Sequence, residues 1–140
     1  MKHRNERGSA TLELVIVAPA ALLILAAIIA AGRIALTQQA VQAVAYDTAR
    51  AASIARNATE ARAAATEVVA YSTAANNLTC SSTDLAISTT GFNQPVGTPA
   101  AVTTTMTCTV QLSDVALPGI PGAITIVRTG SSPIDTYRER

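Results

Sequence analysis

The side chains able to do chemistry are few and badly placed for catalysis. The one histidine, His3, lies at the extreme N-terminus, so no imidazole is on hand to activate the abundant Ser and Thr hydroxyls. The carboxylates Asp47, Glu60, Glu67, Asp84, Asp114, Asp135 and Glu139 are scattered without a paired spacing, and no glycine-rich phosphate loop or nucleophile elbow occurs. The pattern predicts a protein that is not an enzyme and that uses no cofactor, no metal and no small-molecule substrate. Cys80 and Cys108 are the only cysteines, too few for a structural zinc site. One carboxylate stands apart. Glu13 directly precedes an apolar run, and a charge at the edge of a membrane span costs free energy, up to about 2.5–3.5 kcal/mol at a helix centre and less near an end. An isolated anchor has no use for such a charge, whereas an assembly whose neighbour supplies a positive group does.

The element that must position Glu13 is the run itself. Leu14 to Ala31 carries no charged or polar side chain, Gly32 extends it and Arg33 closes it. At about 1.5 Å per residue, 19 residues cover roughly 28 Å, the thickness of a hydrocarbon core. The run lacks the polar stripe of a buried soluble helix. Pro19 removes one backbone donor near its start and predicts a kink that a membrane helix tolerates. Lys2, Arg4 and Arg7 are packed ahead of the span, while Arg33 and Arg50 follow at wider spacing. The positive-inside rule therefore predicts a cytoplasmic N-terminus, with residues 33–140 outside the cytoplasm. A cleavable secretory signal is the competing reading, with Ala26, Ala27, Ala30 and Ala31 as cleavage-site residues. The run is longer than the roughly 7–15 apolar residues typical of such signals.

Gly8-Ser9-Ala10-Thr11-Leu12-Glu13, followed at once by the apolar helix, resembles the processing site of type IV prepilins and pseudopilins. The fuller string from Arg7 to Pro19 is more closely similar to the TadE-like family of tight-adherence (Flp) pilus assembly proteins. The resemblance covers about 25 residues, with a weaker echo in the closing Ser132-Pro133-Ile134-Asp135-Thr136-Tyr137-Arg138-Glu139-Arg140. It implies that residues 1–8 are a basic leader, cut after Gly8 by a membrane aspartic peptidase, the prepilin peptidase. Ser9 then becomes the first residue and Glu13 the fifth. The freed Ser9 α-amine lies four residues before Glu13 on one helix face, so the carboxylate can meet an amine of its own chain or of a neighbour. A glycine at the cut leaves the backbone unobstructed. The implied partners are the peptidase, other pilins or pseudopilins, the inner-membrane assembly platform with its ATPase, and membrane lipid.

Beyond the span, Arg33 to Ala75 contains no Gly or Pro and 16 alanines, which predicts one uninterrupted helix from about Ser9 to about Thr73, ended by Asn76-Asn77. Asp47 with Arg50, and Arg56 with Glu60, are spaced as solvated helical pairs. Ala27, Ala31 and Ala35, then Ala45 and Ala49, stand four apart. Such small faces suit either a neighbouring helix or the chain's own domain, and both readings stand.

From Asn77 the composition turns to Thr, Ser, Gly and Pro. Val102, Thr104, Met106, Cys108, Val110 and Leu112 alternate with Thr103, Thr105, Thr107, Thr109 and Gln111, a half-buried strand. Leu85 to Thr90 and Ala123 to Thr129 are its expected partners, the second after the turn-rich Leu117 to Gly122. Outside the cytoplasm Cys80 and Cys108 read as one disulfide. The expected fold is α+β: a long N-terminal helix, transmembrane over 9–32 and Ala-rich over 33–76, packed on a small antiparallel sheet of about three strands within residues 77–140. With only four aromatic residues and no Trp, the core would be thin and would need the disulfide. The net charge of +1, with no basic block beyond Arg7, excludes a nucleic-acid surface. The sequons Asn57-Ala58-Thr59 and Asn77-Leu78-Thr79 are discounted as chance matches in a bacterial context.

The expected function is that of a minor pilin or pseudopilin in tight-adherence pilus assembly, held in the bacterial inner membrane and able to enter the extracellular fibre. Two rivals remain. One is a single-pass envelope binding module with an uncut leader; the other is a secreted protein whose mature start falls near residues 28–33.

Overall fold

The structure, a computed structural model, describes residues 7–111 and 122–137, with side chains from residue 13 onward. Helix α1 spans Arg7–Ile54, α2 Ala58–Ala75, and three strands follow: β1 Ser82–Ser88, β2 Ala100–Gln111 and β3 Ala123–Ile134. The sheet is antiparallel in the order β1-β2-β3. This is the expected α+β fold.

The 48 residues of α1 amount to a rod of about 72 Å at 1.5 Å per residue. Its second half carries a buried stripe of Val41, Val44, Ala45, Thr48, Ala49 and Ala52, at helical spacings of three and four. That stripe lies on β2 and β3, and α2 packs along α1 through Ala61, Ala65 and Ser72. The sheet answers with the inward side chains of β2, where Val102, Thr104, Met106 and Cys108 are buried while Thr103, Thr105, Thr107 and Thr109 face outward, as their alternation predicts.

The single helix expected from Ser9 to Thr73 is in fact two. Asn57 adopts an extended conformation (φ −144°, ψ 168°), and its Oδ1 accepts the N–H groups of Thr59 at 3.1 Å and Glu60 at 2.9 Å. Glu60 Oε2 reaches back to accept the Arg56 N–H at 3.2 Å. This is a variant of the reciprocal cap that starts a helix, so no Gly or Pro is needed to break the rod. Glu60 therefore holds the backbone of Arg56 rather than forming the expected solvated ion pair with its guanidinium. Asp47 likewise accepts from Ser72 Oγ at 3.3 Å, tying α1 to α2.

Asn76-Asn77 ends α2 as expected, with Asn77 in the left-handed region (φ 49°). The Asn77 N–H donates to Ala74 O and the Leu78 N–H to Thr73 O, at 3.1 and 3.0 Å, the paired bonds of a Schellman stop. Leu78 then enters the core beside Val41, Val44, Met106 and Ile126.

All three strands differ from their expected limits, β2 only by starting at Ala100 rather than Val102. β1 begins at Ser82 and stops at Ser88, because Thr90–Asn93 forms a 3-10 turn that buries Gly91 and Phe92. β3 does not stop at Thr129 but continues to Ile134. Gly130 is the point of closest approach to α1: a Cβ there would collide with the Ala45 carbonyl and lie 2.8 Å from Tyr46 N. Opposite Gly130, Thr104 Oγ1 donates to the same Ala45 carbonyl at 2.7 Å. Pro133 is tolerated because β3 is an edge strand. Leu112 and the turn-rich 117–121 lie outside the described residues.

Cys80 and Cys108 form the expected disulfide, with S–S 2.04 Å across a separation of 28 residues. It ties the segment ahead of β1 to the middle of the central strand, and Cys108 is fully buried. On the chain-entropy model such a closure stabilises by roughly 3–4 kcal/mol. The small-residue stripe divides along α1: Ala45 and Ala49 are buried against the protein's own domain, while Ala27, Ala31 and Ala35 are exposed.

Candidate functional site at the apolar end of the long helix

The first half of α1 touches none of the domain's core. Leu14, Val15, Ile16, Val17, Leu22, Leu23, Ile24, Leu25, Ile28 and Ile29 are each between 52% and 69% exposed. An 18-residue window here reaches a mean hydropathy of 2.9 with only 6% of it buried. A core helix of equal length would be covered by its own protein. This one is long and apolar enough to cross a membrane, and its large side chains all stand exposed, Ala30 alone among residues 13–32 being buried.

Gly8 and Ser9 lie in the first turn of α1, and Glu13, exposed, follows just over one turn after Ser9. By helix rise Ser9 and Glu13 are about 6 Å apart along the axis. Pro19 lies inside the same helix, which continues through it. Residues 1–6, expected as part of a leader, and the side chain of Ser9 fall outside the described residues. Gly8, Ser9, Glu13 and Pro19 thus gather at one end of a rod. Cys80–Cys108 belongs to the other end, packed near Val41 and Val44, roughly 45 Å further along the helix axis.

The two ends join without a spacer. Directly after the apolar run, Arg33, Leu36 and Thr37 face Val110, Ile124 and Ile126 of the sheet across a pocket of about 210 Å³. Thr37 Oγ1 donates to the Arg33 carbonyl at 2.8 Å, which satisfies the hydroxyl within its own helix. Further along, Arg128 Nη2 donates to Gln38 Oε1 at 2.7 Å and Gln42 Nε2 to Thr129 O at 3.0 Å, fixing α1 to the edge of β3.

At the far pole a cleft of about 580 Å³ is lined by Arg50, Ser53, Arg56, Ser132 and Asp135 among others. The Ser53 and Ser132 hydroxyls lie 2.9 Å apart, and Asp135 Oδ1 accepts the Tyr137 N–H at 2.9 Å. Among the described residues no imidazole stands beside these hydroxyls to activate them. Among the described residues no group of three or more His, Cys, Asp or Glu could hold a metal ion.

Sequence reasoning missed the Ala45–Gly130–Thr104 contact, which sets the helix on the sheet. It also missed the Asn57 cap, whose Asn-x-x-Glu spacing was a usable signal.

Residues 8–50 match the family model described as TadE-like protein. The match opens at Gly8, runs through the exposed apolar half of α1, and ends inside the stripe that packs on the sheet. It is the resemblance carried by the string from Arg7 to Pro19. The TadE-like family points to a role in tight-adherence pilus assembly and is not an enzyme family. α2 and the sheet lie beyond the matched residues. No curated protein and no solved structure matches the chain.

Proposed function

We propose that the protein is a minor pilin or pseudopilin that takes part in assembling a tight-adherence pilus. The observation that carries this reading is the TadE-like match beginning at Gly8 and continuing along a helix whose apolar half is bare. The chain enters the bacterial inner membrane with Lys2, Arg4 and Arg7 on the cytoplasmic side and the sheet domain outside. A disulfide at Cys80–Cys108 suits an oxidising compartment there.

Prepilin peptidase cuts after Gly8, and the new Ser9 amine becomes a counter-charge for Glu13, in the same chain or in the neighbouring pilin. The exposed span supplies the surface by which pilins and the inner-membrane platform are met, and the exposed small residues Ala27, Ala31 and Ala35 allow close helix approach. Pro19 loosens the helix near its start, which helps the span leave lipid for an assembly.

The test is a pair of variants expressed in the native host. Gly8→Val should accumulate as the uncut chain, while Glu13→Gln should be cut normally yet fail to support piliation. Normal processing of Gly8→Val, or full piliation with Glu13→Gln, contradicts the reading. An uncut wild-type chain would favour an anchored binding module.

A further inference from the structure

The pocket at the junction of rod and sheet has no role in the processing chemistry, yet its position is unusual. Resting on the reading of residues 14–32 as a membrane span, the rigid continuation of α1 fixes where the domain sits. No linker separates Gly32 from the first helix residues that face the sheet. The apolar surface also continues past Arg33: Leu36 is 67% exposed and Ile34 half-buried, and only at Thr37-Gln38-Gln39 does the helix turn polar. An arginine inside an apolar stretch near the end of a span sends its guanidinium toward the headgroups while its stem stays in the apolar layer. The acyl–headgroup boundary therefore falls at residues 33–37, the depth at which Val110, Ile124 and Ile126 close the pocket.

We propose that this pocket binds a membrane phospholipid of the outer leaflet, taking a segment of one acyl chain between α1 and the sheet while Arg33 engages the headgroup phosphate. Three features favour a lipid over other occupants. The lining is mainly apolar, and it is continuous with the bare surface of the span. Its volume of about 210 Å³ is below the roughly 300–1,000 Å³ of sites that enclose drug-sized ligands. Among its described lining residues the one formal charge is positive, complementary to phosphate and most strongly so to anionic lipid. A lipid held there ties the sheet end to the bilayer, and it would have to be released or carried along when the subunit leaves the membrane.

The experiment uses the full chain in vesicles of phosphatidylcholine with phosphatidylglycerol, a small fraction of the latter bearing a diazirine on its acyl chain. Photolabelled residues are mapped by mass spectrometry. The expected result is labelling of the span within 14–32 together with labelling at Val110, Ile124 or Ile126. The sheet label should fall by at least roughly fivefold in Arg33→Glu, because losing one positive charge near an anionic surface already gives about that factor and the variant adds a negative one, with the span label unchanged. Val110→Phe, which fills the pocket from a half-buried position, should remove the sheet label and leave the span label.

Labelling of the span without labelling of the sheet end overturns the lipid pocket and leaves the membrane reading intact. Sheet labelling equal in wild type, Arg33→Glu and Val110→Phe overturns it as chance collision. Absence of label from both regions removes the span and the pocket together.

Discussion

The two halves of α1 are built from the same small apolar alphabet and meet opposite fates. From Leu14 to Ile29 the large side chains stand more than half exposed; from Val41 to Ala52 a stripe of Val, Ala and Thr is buried, most of it completely. What separates them is distribution around the helix. The first half is apolar on every side, so no single neighbour could cover it and only a surrounding solvent of lipid, or a ring of other helices, satisfies it. The second half is apolar on one stripe and small, so a thin sheet can approach until helix and strand backbones nearly touch at Ala45 and Gly130. Hydrophobicity alone therefore does not distinguish an anchor from a core; its arrangement around the axis does.

The largest expected effect breaks the buried half. Gly130→Val forces a branched side chain against the Ala45 backbone, which cannot rotate away, and should destabilise the domain by at least about 3 kcal/mol, at or beyond the usual range for overpacking. Circular dichroism of the chain in detergent micelles should show the strand signal lost or its melting sharply lowered. Removing the disulfide with Cys80→Ser and Cys108→Ala together should cost roughly 3–4 kcal/mol. Denaturant titration of oxidised wild type against the double variant measures it, and an unchanged midpoint would mean that the closed loop contributes nothing to the thin core.

A matched pair of truncations sharpens the comparison. Val44→Ala in the buried stripe should lower stability by roughly 2 kcal/mol. Ile24→Ala in the bare half should leave the domain's unfolding midpoint unmoved, because Ile24 is 63% exposed and lies outside both core clusters. Equal losses from the two would show that the halves are not energetically separate. The smallest effect is at the corner between the helices. Asn57→Ala removes the acceptor for two N–H groups and should cost about 1 kcal/mol. Hydrogen exchange should then show faster opening at the start of α2, with α1 little changed.

Much of this division is legible in the sequence. The uncharged run from Leu14 to Ala31 declares itself by length, and the alternation through Val102 to Val110 gives the inward face of β2 residue by residue. The disulfide follows from two cysteines and the extracytoplasmic setting expected for residues 33–140. The break at Asn57 is harder to see, because Ala-rich flanks favour helix on both sides and the interruption rests on side-chain bonds made by Asn57 and Glu60. The end of β3 is misleading for a different reason. Gly130-Ser131-Ser132-Pro133 has the composition of a turn, yet the glycine is required by the nearness of α1 and the proline is allowed by the free edge of the sheet. Tertiary contacts decide both, and no local pattern records them. The division of the small-residue stripe is of the same kind, since Ala31 and Ala45 look alike until the sheet is placed beneath one of them.

The most direct single measurement is the intact mass and N-terminal sequence of the protein purified from its own host membranes. A mature chain beginning at Ser9, recovered with the membrane fraction, is the expected result. It would establish prepilin-type processing and retention of the apolar half of α1. A soluble chain beginning near residue 30 would contradict it, because the bare half of the helix would then be a discarded signal and not the working end of the protein.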